Sequence, residues 1–125
     1  MSAPSCTRVY ADRNLIRNCR VKLDRHASTI ARLSRVLNLA GNEVRLRILF
    51  LLKEEQQLCP CDLSDMLGIS VPAVSQQMRK LKDAGVIDSK RVGQTIFYFL
   101  QPEHLALLKP FFSYIRTPEN SKIKV

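Results

Sequence analysis

The spacing of apolar residues changes along this chain in an order that predicts its elements one after another. Over residues 28–40, Ile30, Leu33, Leu37 and Ala40 recur at the period of one helix face, and Gly41 supplies a stop. Asn42 fits the N-cap of a second helix, in which Val44, Ile48, Leu51 and Leu52 mark a buried face and near-continuous apolarity implies deep packing. A short helix after Pro60 directs Leu63, Met66 and Leu67 to the core and stops at Gly68, a residue free to take positive φ in a tight turn. Ser70 caps the next helix and Pro72 falls in its first turn, where a missing N–H is harmless. Val71, Val74, Met78 and Leu81 then face inward until Gly85. Two helices joined by Gly68-Ile69-Ser70 make a helix-turn-helix.

Beyond it the pattern becomes that of strands. Residues 87–91, a Val92-Gly93-Gln94 turn and the β-branched and aromatic run over 95–100 predict a hairpin wing. Pro102 opens a last helix carrying Leu105, Leu108, Phe111, Phe112 and Ile115, which Pro110 must kink or interrupt. Residues 1–25 are polar and basic, with Arg8, Arg13, Arg17, Arg20, Lys22 and Arg25 spread through them and no sustained apolar face. They read as an arm, in part helical. The expected organisation is a basic arm over 1–25, a mainly α winged helix-turn-helix domain with a β-hairpin wing over 26–116, and a flexible polar tail over 117–125, with no internal repeat.

At 125 residues the chain has room for one core but not two. Hydrophobic residues make up 46% and charged residues 25%, the balance of a soluble globular protein, and no apolar run is long enough to cross a bilayer. The N-terminus lacks the apolar core of a secretory signal, which predicts a cytoplasmic protein with no membrane partner. Thiols stay reduced there, so the four cysteines are expected as ligands, reactive groups or core fillers rather than as a disulfide frame. Lysine and arginine number 20 against 11 acidic residues, a net +9. That is the footprint of a nucleic-acid binder, although a solvated basic face gives the same totals.

With Val71, Val74, Met78 and Leu81 turned inward, the opposite face of their helix offers Ala73, Gln76, Gln77 and Lys80, flanked by Ser75, Arg79 and Lys82. Glutamine bonds bidentately to an adenine edge, small residues let a helix approach a thymine methyl, and Arg or Lys neutralises phosphate or contacts guanine. Gln76 and Gln77 are therefore assigned to base edges and Ser75, Arg79 and Lys80 to backbone or bases. Ser70 and Ala73 complete that surface, and Lys90 and Arg91 on the wing reach neighbouring phosphates. A polar helix face is most often only solvated. Here the succession of capped helix, glycine turn, capped helix and basic hairpin favours binding to double-stranded DNA.

Ahead of this element stands Cys59-Pro60-Cys61. Two thiolates at i and i+2, where a loop meets a helix N-terminus whose dipole favours the anion, can converge on one ion. Two sulfurs rarely make a tight site, and Cys6 and Cys19 on the arm are the only other thiols, so they are the candidates to complete it. Sulfur-rich coordination selects Cd(II), Pb(II), Zn(II), Hg(II), As(III) or Cu(I) over hard ions. The alternative is that the cysteines are inert, with Cys19 packing a helix face and Cys6 in solvent. His26 and His104 read as surface or capping residues.

Taken together, Leu58-Cys59-Pro60-Cys61-Asp62-Leu63, Val74-Ser75-Gln76-Gln77-Met78-Arg79-Lys80-Leu81 and Gly93-Gln94-Thr95-Ile96-Phe97-Tyr98 resemble the ArsR/SmtB family of metal-sensing winged-helix repressors, over roughly residues 27–115. The resemblance implies a homodimer paired through its first and last helices, here around residues 30–37 and 105–115. In the cadmium- and lead-sensing branch, which the sequence most resembles, the matching cysteine pair binds metal with cysteines from the partner subunit's N-terminal arm. That implies Cys59 and Cys61 as ligands, with Cys6 and Cys19 joining them within a subunit or across the dimer. A second family site on the last helix needs an acid and paired histidines. His104 matches one position, but Pro102 and Ile115 replace the other two, so that site is expected to be absent. An arsenite-sensing branch carries a third cysteine three residues after the pair, where this chain has Ser64, and Gln77-Met78 stand where the family often has histidine-leucine.

The expected protein is thus a homodimeric repressor that holds a palindromic operator when metal-free and releases it when a thiophilic ion binds, with Cd(II), Pb(II) or Zn(II) ahead of Hg(II) or As(III). Its rivals are a thiol redox repressor, in which oxidation joins an arm cysteine to Cys59 or Cys61, and a winged-helix module that binds protein. No nucleophile, base and orienting group assemble from the motifs, so an enzyme is not expected.

Overall fold

The computed structural model describes residues 6–117. In chain order they form α1 (Arg13–Ala40), α2 (Glu43–Glu55), α3 (Pro60–Leu67), α4 (Val71–Asp83), β1 (Ile87–Val92), β2 (Thr95–Leu100) and α5 (Pro102–Ile115). This is a winged helix-turn-helix: α3 and α4 with their short turn, followed by an antiparallel hairpin in which Ile87 pairs with Leu100 and Val92 with Thr95. The chain divides between Arg32 and Leu33 into two units. Among the described residues no helix is long and apolar enough to cross a membrane.

The first helix starts at Arg13, well before the predicted Ser28. Asp12 sets that start: its carboxylate accepts from the Leu15 N–H at 2.9 Å and its carbonyl from the Ile16 N–H at 3.0 Å. The signal missed was a diluted stripe, Ile16, Cys19, Leu23, His26 and Ile30, recurring three and four residues apart with a thiol and an imidazole in place of aliphatic side chains. Leu15, Val21, Leu23 and Ile30 are all exposed in the single chain. The first five residues of the expected arm, and residues 118–125 of the expected tail, lie outside the described residues.

In the second unit the core gathers Ile48, Leu49 and Leu52 from α2, Leu63 from α3, Val74, Met78 and Leu81 from α4, and Leu108 and Phe112 from α5. Burying each such side chain contributes on the order of 1.5–3 kcal/mol. The predicted caps hold it in register. The Asn42 side chain accepts from the Arg45 N–H at 3.1 Å, the Ser70 hydroxyl accepts from the Ala73 N–H at 3.2 Å, and Gly68 sits at φ 70 in the turn.

Two residues expected to face the core are exposed. Met66 is 52% exposed rather than in the core, because Leu63 and Leu67, four residues apart, take the inward face of an eight-residue helix. Val71 is exposed at the first position of α4, before that helix meets the core. Pro110 does not interrupt α5; the hydrogen bond it cannot donate would have gone to the carbonyl of Ala106, an exposed residue.

Candidate functional site

The helix-turn-helix is braced from both ends. The Ser64 hydroxyl donates to the Ile69 carbonyl across the turn, and Leu63 shares one core cluster with Val74, Met78 and Leu81, so α3 and α4 pack as a pair. Lys82 Nζ donates to Ser89 Oγ at 2.9 Å, joining the last turn of α4 to β1. On α4, Ser70, Gln76, Arg79 and Lys80 are exposed, while Ala73, Ser75 and Gln77 are half-buried; Lys90 and Arg91 are exposed on β1. The residues assigned to duplex from the sequence therefore share one helix and one strand edge. One relation was not foreseen. Gln77 Oε1 accepts from Arg45 Nη1 at 2.9 Å, and the same guanidinium donates through Nε to the Leu39 carbonyl at 2.7 Å.

Cys59 is the N-cap of α3, Pro60 its first residue, and Cys61 follows in the first turn. Cys59 makes no capping hydrogen bond through its side chain, so its sulfur is not spent on the helix end. It is half-buried, whereas Cys61, Cys19 and Cys6 are exposed, and all four are free thiols. The residue before the pair is firmly held. Leu58 is buried, its N–H donates to the Tyr98 carbonyl at 3.1 Å, and the Tyr98 N–H donates back to the Leu58 carbonyl at 2.8 Å. To reach this pairing the chain leaves α2 through Gln56 at φ 74, a left-handed position that a side chain rarely adopts.

Among the described residues no group of three or more His, Cys, Asp and Glu gathers closely enough to hold an ion. Cys59 and Cys61 supply two soft donors at one helix end, which fits a thiophilic ion completed by ligands from elsewhere. His104, expected at the surface or as a cap, is instead only 6% exposed, with its Nδ1 lacking a hydrogen bond. It stands four residues before Leu108 and eight before Phe112, on the face α5 turns to the core.

An apolar depression of about 180 Å³ is lined by Leu37, Ala40, Gly41, Leu46, Leu108 and Phe111. Leu37 and Phe111 are 40% and 46% exposed, so apolar surface from α1 and α5 lies open side by side.

Residues 42–89 match the family described as bacterial regulatory protein, arsR family. The chain is similar to the arsenic resistance transcriptional regulator ArsR1 of Pseudomonas putida, 34% identical over 68 residues, which are 54% of this chain and 53% of that protein. It is also similar to the cadmium resistance transcriptional regulatory protein CadC of Listeria innocua, 36% identical over 61 residues, 49% of this chain and 51% of that protein. The chain thus spans about half the length of these curated relatives. Among solved structures it is similar to the AntR antimony-specific transcriptional repressor, 32% identical with a TM-score of 0.60, covering 74% of this chain and 82% of that one.

Proposed function

The chain belongs to the arsR family of bacterial regulatory proteins, and we propose that it is a cytoplasmic, homodimeric repressor that releases operator DNA when a thiophilic metal ion binds its cysteines. The observation that carries this reading is the position of the sulfur pair. Cys59 and Cys61 open the helix packed on α4, and the residue before them is hydrogen-bonded in both directions to the wing. A metal–sulfur bond that shifts this loop acts on both duplex-facing elements at once.

Cys59 and Cys61 are the ligands, completed by Cys19 and Cys6 within or across the dimer. Relatives named for arsenic, cadmium and antimony support a thiophilic inducer as a class; within it, Cd(II), Pb(II) and Zn(II) suit two to four thiolates. Ser70, Ala73, Ser75, Gln76, Gln77, Arg79 and Lys80 face the major groove, with Lys90 and Arg91 on flanking phosphate. The depression bounded by Leu37 and Phe111 is covered by the second protomer, since monomeric proteins seldom leave such contiguous apolar surface in water.

An ion changes DNA affinity only through its unequal affinity for the two conformations, and DNA must weaken metal binding by the same factor. A coupling of about 1–3 kcal/mol corresponds to a change of roughly 5–150-fold. The test is anaerobic titration of Cd(II) or Pb(II) into the reduced protein on a labelled duplex selected from a random pool. DNA affinity unchanged at metal saturation rules the reading out.

A further inference from the structure

Arg45 belongs to α2, outside the reading helix, yet it decides how one reading side chain is presented. Its Nε is anchored on the Leu39 carbonyl at 2.7 Å, and its Nη1 donates to Gln77 Oε1 at 2.9 Å; both bonds are part-buried. A guanidinium has donors only, so the Gln77 amide must turn its oxygen to Arg45, and Nε2 is left as its donor. Anchoring at Leu39 removes the freedom that a long side chain would otherwise keep, so the orientation is imposed rather than sampled.

Resting on the DNA-binding reading above, the geometry points to Arg45 as a positioning residue that sets base specificity through Gln77. An unrestrained glutamine reads adenine bidentately, its oxygen accepting from N6 and its nitrogen donating to N7. Here the oxygen already carries a charge-assisted bond, which weakens it as an acceptor for adenine and leaves a donor backed by a positive charge. That combination fits an edge rich in acceptors: guanine, with O6 and N7, ahead of adenine. The base edge to which the sequence assigns Gln77 is thereby narrowed to a guanine preference held in place from α2.

The anchor also lies beside the α1–α2 corner, where Leu37, Ala40, Gly41 and Leu46 border the apolar depression. A shift of that corner moves the Leu39 carbonyl and with it the guanidinium that orients Gln77, giving the proposed dimer face a short route to the reading helix.

The experiment is selection from a randomised duplex pool by the full-length, reduced, metal-free protein and by Arg45→Met, Arg45→Lys, Gln77→Ala and Arg45→Met/Gln77→Ala, with thermal unfolding of each. One base pair per half-site should favour guanine in the unmutated protein and lose its preference in Gln77→Ala. Arg45→Met should move that position alone toward adenine, by about 5–150-fold in the ratio of the two affinities, and should add nothing there in the Gln77→Ala background. Arg45→Lys keeps charge and stem but not the two-point hold, so it should show the same shift even if Arg45→Met unfolds. Uniform weakening on every sequence with preferences unchanged would overturn the inference and leave the functional reading standing. If the unmutated protein retains no duplex, the functional reading fails first and the inference with it.

Discussion

Leu58 and Tyr98 exchange both of their backbone hydrogen bonds, at 3.1 and 2.8 Å, so the residue preceding the cysteine pair is in effect a one-residue third strand of the wing. In an antiparallel sheet a residue directs its N–H and C=O to the same side. Tyr98 therefore spends both on Leu58, and its pairing with Ser89 across the hairpin is of the kind without hydrogen bonds. The wing is tied to the sulfur loop by bonds that the hairpin does not need.

Tyr98→Pro should remove the bond to the Leu58 carbonyl, one of the two that form this tie, while sparing the hairpin ladder. The predicted outcome is metal affinity close to wild type, a loss of stability of about 1–3 kcal/mol from the orphaned Leu58 carbonyl on top of the packing lost with the Tyr98 ring, and a weakened metal-dependent change in DNA affinity. Absorbance titration and fluorescence anisotropy on the same sample measure both. Full retention of the metal response would show that the Tyr98 N–H bond to Leu58 does not carry it.

Cys59→Ser and Cys61→Ser are expected to abolish the sulfur-to-metal charge-transfer absorption and to leave metal-free DNA binding intact. Cys59→Ser carries a second signature. Because the native thiol makes no capping bond, a serine there should stabilise α3, by about 0.5–2 kcal/mol, visible as a raised melting temperature. Wild-type metal affinity in both variants would remove these residues from the site.

Gln76, exposed on α4, is predicted to read a base edge, and Lys90, exposed on the wing, to meet phosphate. Gln76→Ala should cost about 1–3 kcal/mol on the preferred duplex and much less on others. Lys90→Ala should weaken every sequence alike and reduce the slope of log affinity against log salt by about 0.9. Equal, sequence-independent losses for both variants would contradict the division.

Phe111→Glu places a charge on the apolar surface beside Leu37. Sedimentation velocity should show a dimer for the wild type and a monomer for the variant, with preserved helical content and greatly reduced operator affinity. A dimer that persists in the variant would move the interface elsewhere.

Where a boundary depends on a few neighbouring residues, the chain spells it out. Asn42, Gly68 and Ser70 each act on backbone within five residues of themselves, and all are found in the predicted roles. The core face of α4 was legible for the same reason, since Val74, Met78 and Leu81 keep helical spacing in a helix long enough to display it. In the eight residues of α3 the period has too few repeats to decide, and Met66 was misplaced.

Sequence alone thus determined the order of elements, the helix-turn-helix and its wing, and the soft-donor pair at the start of α3, because local backbone preference and apolar period are properties of contiguous residues. Only the tertiary structure decided that Leu58 meets Tyr98, that Arg45 holds Gln77, and that His104 is buried. Those relations join residues far apart in the chain, or depend on which side of a helix the rest of the molecule covers, and no local pattern records either.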